Sequence, residues 1–510
     1  MIRGPLWILA ALLGSVVCTI AAPTNAVPLE QRRWFETRTA HFNIYSCGEL
    51  RDVYKLAGRR EQFCKAYAQL AGTRAVDSPP IVVIAFPDHE SMEPFLPLYQ
   101  GKPVNMAAFF KHGMDENLIV LSLPEPGYPD TGMAVIFHEY THLLFRRNDP
   151  IWPLWLKEGM AEVYSTFQTL GQNVRIASPI AWHLQTLQQS PLMPLSELFA
   201  VTNGSPQYNE RERQGMFYAE SWLLTDFLMA GDYGQYRTRF GQFTSLLRQG
   251  QLPVQAFTNA FQTTLPVVEN GLRRYLERGV FSPIDLSLTS DISAPINLAT
   301  RSLTPVEVYF RLGDELLRID RADAAEARFT QAQRLAPASP LPEEGLGLLA
   351  NEREEHEIGL RHLQTAIQFG STSFLAYNLC AEEEYRATAA AGDRYAPIKK
   401  TQAAEIRGHL ERSIALMPDF GPTQQLLGFF EMVQGEHLAD AGQHLQRAIQ
   451  LEPENQSYLL SLAQFQYRTK NVNAARQTLE TLLQPKVDEK LRADARELML
   501  EIDKRYPVKR

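Results

Sequence analysis

The 510-residue chain lacks the features that mark several large classes of protein. It has no basic excess: 50 Lys and Arg stand against 58 Asp and Glu, a net charge of -8. That excludes nucleic acid as the main partner, because phosphate recognition needs a basic face. It has four cysteines, and after removal of a leader only Cys47, Cys64 and Cys380 are left. Cys47 and Cys64 are near enough in sequence to form a disulfide in an oxidising compartment, or to stand as two buried thiols; Cys380 reads as core. Beyond the first residues no stretch is long and apolar enough to cross a bilayer. With 45% hydrophobic and 21% charged residues the chain is globular, and its length calls for two or more domains.

The amino terminus reads as a secretory signal. Arg3 supplies a positive charge, Leu6 to Ala22 is almost unbroken apolar sequence, and Thr24-Asn25-Ala26 offers small residues for cleavage after Ala26. Residues 1–26 are therefore expected to be a signal peptide, with a periplasmic or secreted location. If the signal is left uncleaved it becomes a membrane anchor. A lipoprotein reading at Cys18 fails because Val17 precedes it where a small residue is required.

Residues 27–280 read as strands followed by helices, an α+β domain. Strands are expected within 34–46, at 81–86, and around 104–110 and 117–123, with 112–116 as a hairpin connection. Helical spacing covers 49–71, 131–147, a segment starting near Pro153, 214–230 and 254–278. Residues 281–303 are rich in Ser, Pro, Asp and Thr and read as a linker. From 304 to 485 the sequence repeats. Leu312-Gly313, Ala325, Phe329, Ala332 and Pro337 recur as Leu346-Gly347, Gly359, Leu363 and Ala366, and later as Leu410-Ser413-Pro418, Ala441-Leu445-Ala448-Pro453 and Ala475-Leu479-Leu482. This is the tetratricopeptide pattern of stacked helix pairs, an all-α solenoid for a protein partner or substrate. An insertion near 388–403 interrupts the period, and 486–510 is left as a carboxy-terminal helix or tail.

The chemistry concentrates in His138-Glu139-Tyr140-Thr141-His142. On a helix the two histidines lie four apart on one face and can chelate one Zn2+, while Glu139 reaches a metal-bound water. The plainer alternative is a helix with two satisfied histidines and a surface glutamate. Downstream, Trp155-Leu156-Lys157-Glu158-Gly159-Met160-Ala161-Glu162 lies on a second helix, antiparallel after a turn. Glu158 then completes a His2Glu set with an open position, as catalytic zinc requires. Gly159 and Ala161 permit close packing, and Glu162 either fixes a ligand histidine or is a surface charge.

These two segments resemble the gluzincin metallopeptidases, the clan of thermolysin and the membrane alanyl aminopeptidases. The layout as a whole is similar to an uncharacterised bacterial group joining a peptidase-MA-like domain to tetratricopeptide repeats. The resemblance implies a zincin-like fold over 27–280, a single zinc ion, His138, His142 and Glu158 as ligands, and Glu139 as general base. It implies an oxyanion role for Tyr218, because Tyr218-Ala219-Glu220-Ser221 resembles the aminopeptidase YEKG segment; a core tyrosine is the alternative, with Tyr208 in reserve. Gly113-Met114-Asp115-Glu116-Asn117 looks like the aminopeptidase GAMEN strand, whose glutamate holds the substrate amine, but its spacing to His138 is short and it reads as a turn. Endopeptidase action is thus at least as well supported, with the strand from Asn117 and Leu118 as the edge that pairs with an extended substrate. The competing expectation is a catalytically inactive peptidase-like scaffold of the cell envelope, in which the repeats carry the biology.

Overall fold

The computed structural model describes residues 27–71, 81–104, 106–113, 115–124, 131–148, 152–171, 173–202, 204–209, 211–289, 292, 298–390, 396–484 and 487–507. The proposed signal lies outside them. Among the described residues no helix is long and apolar enough to cross a membrane. The chain forms two compact units, Met1–Leu303 and Thr304–Arg510.

The first unit is built on a six-stranded sheet in the order Ala299–Ser302, Phe35–Arg38, Phe42–Ser46, Ile81–Phe86, Asn117–Ser122, Ala108–His112. Ile81–Phe86 is buried at all six positions. It pairs in parallel with a neighbour on each side, which explains its unbroken apolar sequence. Phe35–Arg38 and Phe42–Ser46 form a hairpin within the expected 34–46 strand. The turn at 112–116 joins Ala108–His112 to Asn117–Ser122 as expected, with His112 Nδ1 2.7 Å from Asn117 Oδ1.

Four sequence expectations are corrected. Asn117–Ser122 is hydrogen-bonded on both sides, so Asn117 and Leu118 do not offer an edge; the edge is Ala108–His112. The proposed linker 281–303 contributes two strands: Ala299–Ser302 closes the far side of the main sheet, and Ile284–Ser287 joins a three-stranded sheet beside Asn173–Ile176. Such short strands carry no period of their own and exist only through partners distant in sequence. The 254–278 segment is two helices, Pro253–Phe261 and Leu265–Arg278, separated where Gln262 takes a left-handed conformation. Cys47 and Cys64 are free thiols. Cys64 is buried beside Tyr140, whereas Cys47 interacts with Arg32.

Three helices carry the chemical residues: Thr131–Asn148, the histidine helix; Leu154–Ser165, the carboxylate helix; and Arg211–Met229, the tyrosine helix. The histidine helix packs over the edge strand, and the carboxylate helix lies between the other two. Gly159 makes this sandwich possible. A Cβ there would collide with the backbone carbonyl oxygen of Ser221 and Oγ1 of Thr225, both on the tyrosine helix.

In the second unit, helix pairs run Pro305–Arg318 with Ala322–Leu335, Pro340–Glu352 with His356–Gln368, Phe374–Ala390 with Lys400–Leu416, Gly421–Gln434 with Leu438–Leu451, and Ser457–Arg468 with Val472–Leu482. Thr304 opens the series with a capping box to Glu307, and Pro305 takes the first turn, where a missing amide costs nothing. Gly347 admits the side chain of Leu363, as the small-against-large alternation predicts. Glu489–Arg505 closes the array, packing Ala495 and Ile502 against the last pair.

Gly159→Ala forces two packed helices apart, and overpacking of this kind costs about 1–3 kcal/mol. The expected outcome is a lower urea midpoint for the first unit with an unchanged slope; an unshifted midpoint would show that the helices do not meet this closely.

Candidate functional site

Nε2 of His138, Nε2 of His142 and Oε2 of Glu158 converge on one point. Nε2 of His142 lies 3.0 Å from both other atoms, and the remaining pair is 3.5 Å apart. The helical i, i+4 spacing puts the two rings on one face. The Gly159 contact fixes the depth of the carboxylate helix and hence the reach of Glu158. His138 and Glu158 are buried, and His142 is partly exposed, so the group opens to solvent on one side.

The donor set fits a zinc ion. Four ligands at about 2.0–2.1 Å in a tetrahedron stand about 3.3 Å from one another, close to the separations observed. The two imidazole nitrogens face each other at 3.0 Å, close enough to share one proton or to bind one cation. His138, His142 and Glu158 are one of two groups among the described residues in which three metal-ligating side chains come together.

Around these three the structure adds a second layer. The Tyr208 hydroxyl donates to Oε1 of Glu158 at 3.0 Å and is also hydrogen-bonded with Tyr218. Glu162 places Oε1 3.5 Å from Nδ1 of His138 and Oε2 3.2 Å from Nε2 of His183. Neither His138 Nδ1 nor the His183 ring nitrogens are aligned as hydrogen bonds, so these contacts are electrostatic. Glu162 is therefore buried between two histidines and is not a surface charge. Tyr218 is buried, with its ring 6.2 Å from that of His138 and 6.3 Å from that of Tyr208. Glu116, in the turn after the edge strand, is not among the groups that converge here.

The carboxylates separate electrostatically. Burial works against the charged form of Glu158, but both histidines outweigh it and hold its pKa well below the usual range. Glu162 is lowered against burial in the same way, by His183 and His138. Glu139 is raised, chiefly by burial, with Glu158 and Glu162 adding to the effect of desolvation. Burial alone would lower His138, yet Glu162, Glu158 and Glu139 bring it to about 9. Adjacent carboxylates thus have opposite tendencies, one held as an anion and the other kept ready to carry a proton.

Sequence reasoning missed His183. It lies at 0% exposure, stacked on Trp222 at 5.7 Å, and no motif surrounds it. Tyr208 was held only in reserve because the helix carrying it, Pro206–Asn209, is too short to show a period.

The comparisons bear on the second unit. Residues 432–499 match the tetratricopeptide repeat family. Among solved structures the chain is similar to YrrB, described as a TPR protein with an unusual peptide-binding site, at 14% identity over 37% of this chain and 91% of that one, TM-score 0.31. It is similar to PilF of Pseudomonas aeruginosa at 18% identity over 40% and 93% of the two chains, TM-score 0.29. It is also similar to PilW, described as a type IV pilus biogenesis factor, at 20% identity over 38% and 98%, TM-score 0.28. No curated protein matches. Tetratricopeptide repeats are therefore present in the second unit.

Beside the site, Glu220 is fully buried with Oε2 accepting the Met193 amide, and burial pushes its pKa from 4.5 to about 8. A carboxyl raised on folding keeps its proton longer in the native state. Its stabilising contribution is complete below the unfolded value of 4.5 and is lost as pH climbs through about 8. The denaturation midpoint of the first unit should decline across that window, and Glu220→Gln should flatten the decline. A slope that the substitution leaves unchanged would contradict this assignment.

Proposed function

We propose that the first unit is a zinc-dependent peptidase of the gluzincin type, exported to the periplasm or outside the cell, and that the repeats hold a protein partner or substrate. The observation that carries this reading is the buried convergence of His138, His142 and Glu158, with Glu139 on the same helix. His138, His142 and Glu158 would hold the ion, which when bound polarises a carbonyl and lowers the pKa of water.

The chain's own residues supply the rest. Glu139, raised by burial, takes a proton from the attacking water and delivers it to the leaving amine. Tyr208 orients Glu158 through Oε1, leaving Oε2 directed at the histidines. Glu162 orients His138 from behind. Tyr218, with its ring 6.2 Å from that of His138, is the hydroxyl that would turn from Tyr208 to donate to a developing oxyanion. Among the described residues Ala108–His112 is the last strand of the sheet on this side, under the histidine helix, and an extended peptide is proposed to add beside it. This edge, rather than the strand from Asn117 and Leu118, is the substrate platform. Glu116 lies in the turn and is not among the side chains that converge on the three ligands, so the reading proposed is endopeptidase action.

Glu139→Gln should lower cleavage of a generic peptide library by about 10²–10⁴-fold with zinc retained. His142→Ala should also lose the zinc held by His138, His142 and Glu158. Undiminished cleavage in the first variant, or full zinc in the second, rules the proposal out, and absence of both zinc and cleavage in the native chain leaves the scaffold reading. The two tyrosines separate by measurement. Tyr208→Phe should weaken zinc binding by about 10–100-fold, whereas Tyr218→Phe should lower kcat at unchanged zinc content; the reverse pattern would exchange their roles.

A further inference from the structure

The second group of metal-ligating side chains lies in the repeat unit, far in sequence from the first: Cys380, Glu384 and His409. Cys380 and Glu384 are four apart on Phe374–Ala390, so they share a face, and His409 comes from the paired helix Lys400–Leu416. Nδ1 of His409 is 3.0 Å from Oε2 of Glu384, and Sγ of Cys380 is 3.6 Å from Oε1. All three donor atoms lie within 4.8 Å of one another. In a tetrahedral zinc site with bonds of about 2.3 Å to sulfur and 2.0–2.1 Å to nitrogen and oxygen, these pairs stand about 3.3–3.5 Å apart.

Packing explains the burial of Cys380, which lies in an apolar cluster with Leu363, Ala376 and Leu379, but not the carboxylate and imidazole set against it. One repeat length of 34 residues upstream, the same helix face carries Leu346 and Ala350. The third copy replaces that apolar pair with a thiol and a carboxylate. In the second copy the equivalent histidine, His362, pairs instead with Glu343, two turns earlier on its helix, at 2.6 Å. In the third copy Tyr377 takes that earlier place, with its ring 6.0 Å from His409. The histidine is thereby matched with Glu384. Gln364, from the preceding pair, donates to Oε1 of Glu384 at 3.2 Å and fixes the carboxylate, as outer partners of metal ligands do. Cys380 is fully buried, while the side chains of Glu384 and His409 are 11% and 18% exposed, which leaves a route for an ion.

We propose that Cys380, Glu384 and His409 form a second divalent-metal site, selective for zinc-class ions through its thiolate and imidazole donors, which clamps the two helices of the enlarged third repeat. The site has three protein ligands and leaves the fourth position to water or to a side chain of a bound partner. It does not depend on the peptidase reading.

The test is cobalt titration of the full chain, with zinc as competitor, read as bound equivalents and as the near-ultraviolet thiolate-to-cobalt charge-transfer band. The expected result is that the His142→Ala chain binds one equivalent and shows the band. In that background Cys380→Ser and His409→Ala should each abolish the band. Cys380→Leu, which installs the residue of the neighbouring copy, should do the same while keeping the helical circular dichroism of the parent. No band in the parent chain, or a band that survives loss of Cys380, overturns the proposal. A native chain that binds a single equivalent with the thiolate band intact, and the same single equivalent after His142→Ala, would fail the peptidase reading and leave this one standing.

Discussion

The first unit is organised by one close approach, the carboxylate helix seated against the tyrosine helix at Gly159. At that separation Glu158 reaches both histidines; a larger residue at 159 would displace the carboxylate helix from the tyrosine helix and disturb that fit. The convergence is costly. It places two imidazoles and a carboxylate in a region where His138 and Glu158 have almost no contact with water, and charged groups are buried only when others compensate them. The surrounding structure follows from that requirement. The edge strand Ala108–His112 lies against the histidine helix, the tyrosine helix supports the carboxylate helix from the far side, Tyr208 hydrogen-bonds the outer oxygen of Glu158, and Glu162 places its charge beside His138.

That second layer also sorts the carboxylates. Glu158 and Glu162 face histidines and are held as anions, while Glu139, one residue along the helix from His138, has burial as its dominant influence and is pushed the other way. A ligand carboxylate must stay ionised, and a base must accept and release a proton near neutrality. On the proposed reading the two helices would provide both, Glu158 from the carboxylate helix and Glu139 from the histidine helix. His183, stacked between aromatic rings behind Glu162, extends the chain of contacts one step further into the core.

Much of this was legible in the sequence, and the limits have physical causes. The central strand, the histidine helix and the repeats were readable because each carries its own period. The position of Glu158 was readable because a short turn between two helices leaves few ways for them to pair. The edge of the sheet was not, since strand order depends on partners elsewhere in the chain. The strands at Ile284–Ser287 and Ala299–Ser302 were read as linker for the same reason. Cys47 and Cys64 suggested a bridge by proximity along the chain, but Cys64 turns inward to Tyr140. Tyr208 and His183 sit in segments without a pattern, and only tertiary structure brings them to the site.

The two units differ in what their sequences record. In the repeats, small and large residues alternate because helices must stack, so the family is visible in a match over residues 432–499. In the first unit the chemistry rests on a handful of side chains, and the fold around them can vary widely so long as those few converge. It follows that departures from the repeat pattern carry more information than its agreements. Leu346 and Ala350 say only that two helices pack. Cys380 and Glu384, on the same face one copy later, sit where packing asks for nothing polar, and beside them the paired helix presents a histidine. Polar groups at a packed position need partners; Glu384, His409 and Gln364 supply some of these to one another, and the proposed metal ion would join the thiol, the carboxylate and the imidazole in one set.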